Sequence, residues 1–134
     1  MRRQHTALAT IACSLVIASS SQLTAQGKTP TQTYLEYHAA VAKAKTLDEV
    51  LPYLSKMYRA MLESRPKEDR PKWLTNLKDG ADVKDLKMTK EAIDGDKCTL
   101  EATGISAHGN ALHGKIILVR EGGAWKLDSS SWAT

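Results

Sequence analysis

Residues 86–132 read LKMTKEAIDGDKCTLEATGISAHGNALHGKIILVREGGAWKLDSSSW, and the fold turns on how this stretch is read. Apolar and polar residues alternate with the period of two that places successive side chains on opposite faces of a strand. Three breaks interrupt the alternation: Asp94-Gly95-Asp96, the loop around 107–110 (AHGN), and Gly122-Gly123. Four extended segments joined by short turns make an antiparallel meander.

The last hairpin has a register that follows from counting. A two-residue Gly-Gly turn suits the primed hairpin types and sets Glu121 against Ala124, Arg120 against Trp125, Leu118 against Leu127 and Ile116 against Ser129. The apolar faces of both strands then agree, as a half-buried sheet requires. Arg120 is placed to stack on the Trp125 indole. For the first hairpin, a three-residue Asp-Gly-Asp loop puts Leu86, Met88 and Ala92 on one face with Cys98, Leu100 and Ala102. A four-residue loop would bring Ile93 inward and expose Met88; the shorter loop, with room for a bulge, is the preferred reading. In Lys115-Ile116-Ile117-Leu118-Val119 both faces are apolar, which marks a central strand covered on both sides. Ile117 and Val119 therefore predict a cover on the second face, either another copy of the chain or the tail carrying Trp132.

Upstream, the period changes to that of helices. Thr29-Pro30 reads as an N-cap followed by proline at the first helical position. Tyr34, Tyr37, His38, Val41 and Ala44 then recur at helical spacing, with Leu35 and Ala42 widening the stripe. Thr46 and Glu49 have the spacing of a capping box. Val50, Leu51, Leu54, Met57, Met61 and Leu62 continue a helical pattern to about Ser64, with a kink or break at Pro52. A third helix carries Trp73, Leu74 and Leu77 and stops near Asp79-Gly80. Three short helices with one apolar stripe each are built to lie on a sheet.

The first 25 residues differ from the rest. Arg2 and Arg3, the apolar run 7–18 (ALATIACSLVIA) and a small residue at Ala25 are the parts of a secretory signal peptide, and the run is too short for a bilayer-spanning helix. The expectation is export to the periplasm or the exterior, with residues 26–134 as one domain and no stable membrane insertion after cleavage. Composition agrees with one globular domain, at 42% hydrophobic and 25% charged residues. Losing Arg2 and Arg3 lowers the net charge from +4 to +2, too weak and too evenly spread for a nucleic-acid partner. Cys98 alone then remains, at an apolar strand position, and reads as a buried structural thiol.

In this order, TLDEVLPYLSKMYRAML (46–62), IDGDKCTLEAT (93–103) and GKIILVREGGAWKLDSSSW (114–132) give the chain a resemblance to the nuclear transport factor 2-like superfamily. In particular it resembles the small exported bacterial members of the cone-shaped α+β group that includes ketosteroid isomerase and polyketide cyclase-like proteins. The resemblance covers Thr29 to Trp132. It implies an α+β fold with N-terminal helices on a curved antiparallel sheet of about four strands, a cavity at the open end, and frequent dimerisation through the sheet. In the isomerase-like members an acidic base and a Tyr–acid pair line the cavity. No residue of this chain matches those groups, and the sheet core positions Leu, Met, Cys, Ala and Ile include no acid.

Without a catalytic set to carry over, the site residues are candidates for a pocket. Tyr34, His38, Tyr53, Tyr58 and Trp73 combine apolar bodies with polar tips suited to orienting a small apolar ligand, and equally suited to filling a core. His38 with a Tyr hydroxyl is the pair a small lyase or isomerase would use. His108 and His113, five apart without a neighbouring acid or thiol, do not make a metal site. No phosphate-binding glycine loop or nucleophile triad is present, and no cofactor is expected. The functional expectation is binding of a small apolar ligand or a partner protein, with a dimeric module formed through Ile117 and Val119 as the alternative without a ligand.

Overall fold

A computed structural model of the chain describes residues 27–134; the signal-peptide expectation for residues 1–25 lies outside the described residues. The helical half comprises α1 (Pro30–Lys43), α2 (Lys56–Glu63) and α3 (Arg70–Gly80), with 3₁₀ turns at Leu47–Glu49, Leu51–Tyr53 and Lys67–Asp69. The sheet half comprises β1 (Val83–Asp94), β2 (Lys97–Ser106), β3 (Ala111–Glu121) and β4 (Ala124–Ala133), antiparallel in the order β1-β2-β3-β4. Helices therefore lie on one face of a four-stranded meander, the α+β arrangement expected. None of the described helices is long and apolar enough to cross a membrane.

Local chemistry explains most boundaries. Thr29 caps α1 through the Gln32 N–H, the Gln32 side chain answers the Thr29 N–H, and Pro30 occupies the first turn. Glu49 accepts from the backbone N–H groups of Lys45 and Thr46 as its spacing predicts, but it closes a 3₁₀ turn and not an α-helix. Pro52 interrupts the following run completely. The break expected there divides the run from Val50 to Ser64 into the 3₁₀ turn Leu51–Tyr53 and then α2, restarted by Ser55, whose hydroxyl accepts from the Tyr58 N–H.

That restart also rotates the apolar stripe. Leu62 is buried and Tyr58 half-buried, while Met57 and Met61 face solvent at 74% and 45% exposure, against expectation. Leu35 and Ala42 are likewise exposed and do not widen the α1 stripe. The core is formed by Tyr34, Tyr37 and Val41 of α1, Val50, Leu54, Leu62 and Leu74, and Leu100, Ile116, Leu118 and Leu127 of the sheet.

In the sheet, the Gly122-Gly123 turn has positive φ at both residues (59° and 79°) and pairs Glu121 with Ala124, Arg120 with Trp125 and Leu118 with Leu127. The Arg120 guanidinium lies 4.5 Å from the Trp125 ring centroid. Beyond that point Asp128 is a bulge residue, so Ile116 faces Ser130 and not Ser129. The bulge serves the helical layer: Asp128 accepts from the Ser55 hydroxyl at 2.7 Å, beside the 2.7 Å bond from the Ser55 N–H to the Leu127 carbonyl. The β1–β2 connection is also one residue shorter than expected. Gly95-Asp96 form a two-residue turn with Asp94 opposite Lys97, which brings Ile93 to the face of Cys98 and Glu91 to the face of Leu100. A bulge at Thr89 then returns Met88 to the core face, opposite Ala102.

Glu91 thus places an acid on the face expected to have none. Its carboxylate accepts from the Thr31 N–H and hydroxyl at 3.0 and 2.9 Å, where a negative charge suits the start of α1. Trp132 corrects a second expectation. It pairs with Gly114, on the side of Ile116 and Leu118, so the tail does not cover Ile117 and Val119. Those two are half-buried on the other face, Ile117 between Thr99 and Ser129, Val119 between Lys97 and Lys126.

Candidate functional site

The residues expected to line a pocket separate into groups. Helix α1 aims Tyr34 and Tyr37 into the core at 2% and 4% exposure. Their rings are 5.8 Å apart, Tyr37 meets Tyr53 edge-on at 6.3 Å, and the His38 ring is 6.4 Å from that of Tyr34. Burial raises the Tyr37 pKa, and neighbouring Tyr58 adds to it. Trp73 belongs to α3 and stacks with Arg65, whose guanidinium is 4.8 Å from the ring centroid. No hydrogen bond joins His38 to a Tyr hydroxyl among the described residues, and His38 Nε2 is buried without a partner. Burial pushes the Tyr34, Tyr37 and Tyr58 phenols above their ordinary range, so all three stay protonated at neutral pH. Burial, and then the Glu91 charge, also raises the pKa of Cys98, which removes the thiolate a nucleophile needs.

One residue expected only as a possible cover proves central. The Trp132 ring lies so close over Gly114 that a Cβ there would sit 2.6 Å from it. Ala102 and Gly114, two small residues side by side in the core face, make the hollow that the indole fills. Trp132 Nε1 is buried next to the Tyr34 hydroxyl, which it draws down against the effect of burial, yet it forms no well-directed hydrogen bond there. Among the described residues two buried side-chain nitrogens are without partners, His38 Nε2 and Trp132 Nε1, and both side chains neighbour Tyr34. A glycine in the apolar alternation Gly114-Ile116-Leu118 was the signal in the sequence for a large neighbour.

Outside Trp132 opens a mouth of about 510 Å³. Asp79 and Asp82 come from the end of α3 and the approach to β1, His108 from the β2–β3 loop, and Ser130 from β4. No Lys or Arg lines it, and among the described residues neither aspartate has an ion-pair partner. These acids and His108 do not converge into a metal site, since no group of three or more His, Cys, Asp or Glu does so among the described residues.

A larger cleft of about 680 Å³ runs between the end of α1 and α3. Buried Ala44, Leu47 and Leu74 contribute to its lining, together with Lys45, Lys67, Arg70 and Lys78 and the single acid Asp48.

No protein-family profile matches the chain, and no curated protein matches it. Among solved structures it is similar to a crystal structure described as that of an NTF2-like (nuclear transport factor 2-like) transpeptidase from Campylobacter jejuni. The sequences are 12% identical, and the alignment covers 76% of this chain and 99% of the other with a TM-score of 0.50. The chain has the nuclear transport factor 2-like fold. At that identity the likeness is one of architecture and carries no activity with it.

Proposed function

We propose that this is an exported binding domain that takes a small, largely apolar molecule at the open end of its cone, beside Trp132. One observation carries the reading: His38 Nε2 and Trp132 Nε1 are both buried without partners next to Tyr34. Each such group costs about 1–3 kcal/mol when left unpaired, and an unpaired group in a folded chain calls for a partner. A ligand that displaces the indole from the Gly114 hollow would offer both nitrogens one. Its apolar body would take the place of the ring, and the carboxylates of Asp79 and Asp82 would disfavour an anion. Export rests on the pattern of residues 2–25.

Native mass spectrometry of the exported protein tests the reading, comparing it with Trp132→Phe. The expected result is a monomer carrying a small molecule that the variant retains less well. A chain without any bound molecule, unresponsive in thermal stability to neutral apolar compounds, would overturn it. A dimer without ligand, converted to monomer by Ile117→Lys, would favour the module formed through Ile117 and Val119.

A further inference from the structure

The cleft between α1 and α3 shares no lining residue with the mouth, and its chemistry is the opposite. Ala44, Leu47 and Leu74 are each less than 10% exposed and present apolar surface to it. Four cations stand around them, Lys45, Lys67, Arg70 and Lys78, against one lining acid. That acid is already engaged, because Asp48 Oδ1 accepts from Arg70 at 3.2 Å. Glu49 lies near Lys45 and Lys78, but its carboxylate accepts from the Lys45 and Thr46 backbone N–H groups. Lys67 has no acidic partner among the described residues, and neither Lys45 nor Lys78 forms a direct ion pair there.

We infer that this cleft is a second binding site, for a free alkyl carboxylate whose chain lies on Ala44, Leu47 and Leu74 and whose head is held by Lys67 and Lys78. Charge complementarity selects the head: the cleft has an excess of three positive charges over acids in its lining and already holds one carboxylate, that of Asp48, on Arg70. The lining selects the tail, since the floor together with Pro71 and the aliphatic stems of the lysines gives an alkyl chain apolar contact that a hydrophilic anion cannot use. The absence of any aromatic side chain from the lining argues against a nucleotide or single-stranded nucleic acid, which would need a stacking surface. Its volume falls within the usual range for small-molecule sites, about 300–1,000 Å³. This inference rests on no residue of the mouth and stands or falls separately from the reading given to Trp132.

The test is titration calorimetry of the full chain with dodecanoate below its micellar concentration, set beside dodecanol and acetate. Dodecanoate is expected to bind about tenfold or more tighter than either, because each comparison compound lacks one half of the recognition. Lys67→Glu with Lys78→Glu should weaken dodecanoate about tenfold or more at low salt, and raising salt to about 0.5 M should weaken the unmutated protein. Lys67→Glu alone, at an exposed position, guards against misfolding of the double variant and should give a smaller loss in the same direction. Backbone amide shifts in NMR should move at Leu47, Leu74 and Thr75. Equal affinity for dodecanol, an unchanged affinity in the charge-reversed variants, or no binding at all would overturn the inference. Shifts confined to Ser130 and Trp132 would overturn it too, and would credit the mouth with the ligand.

Discussion

The two clefts lie on one small domain and differ in almost every physical respect. The mouth is built by strand ends and loops around one large ring, and its charge comes from Asp79 and Asp82. The groove is built by helix termini over an aliphatic floor, and its charge comes from lysines and Arg70. A net charge of +4 for the whole chain describes neither of them. Local sign, and not the total, decides which small molecules each cleft attracts. The mouth also holds a buried nitrogen without a partner, Trp132 Nε1, whereas in the groove Arg70 already donates to Asp48.

Changes confined to one cleft should separate them. Leu74→Ala removes floor from the groove and side-chain volume from the core, and should cost about 2–4 kcal/mol in urea denaturation. Alkyl carboxylate binding should fall with it, while the environment of Trp132 stays as it was. Gly114→Ala acts on the other cleft. The new methyl meets the Trp132 ring at 2.6 Å, so the indole must move, at a cost of about 1–3 kcal/mol. Acrylamide should then quench tryptophan fluorescence more strongly; unchanged quenching and stability would mean that Trp132 does not sit where it is described.

Ser55 links the helical layer to β4 and lines neither cleft. Ser55→Ala removes the α2 cap and the bond to Asp128, and about 1–2 kcal/mol should be lost with both clefts affected alike. The smallest effect concerns pH at the groove. Glu49 is held below the usual carboxylate range by the backbone N–H of Thr46, then that of Lys45. A lowered folded-state pKa contributes stability above the unfolded value of about 4.3, and that contribution is lost as pH falls through the folded value. Glu49→Gln should therefore flatten the acid limb of the urea midpoint against pH and leave the neutral region nearly flat, as before.

The site was less legible in the sequence than the fold, and particular residues show why. The Gly122-Gly123 hairpin was read correctly for three pairs because a two-residue turn leaves no freedom of register. The count then failed at Asp128, where one extra residue shifts every later pair by one. The same failure hid Glu91: a shorter turn reverses the expected parity at the start of the hairpin, and the bulge at Thr89 reverses it again within β1. Composition carries no mark of either bulge. In α2, Met57, Tyr58, Met61 and Leu62 all fit helical spacing, and only packing decided that Tyr58 and Leu62 turn inward while the methionines turn out.

By itself, then, the sequence determined the order of helices and strands, the antiparallel meander, the apolar faces of β2 and β3, and the break at Pro52. These depend on turn chemistry and on periodicity between near neighbours, which a linear reading contains. The tertiary structure alone decided the seat of Trp132 on Gly114, the use of Glu91 at the start of α1, and the opposite charges of the two clefts. Each of these depends on residues far apart in the chain, such as Asp79 with His108 or Lys45 with Lys78, meeting once the helices settle on the sheet.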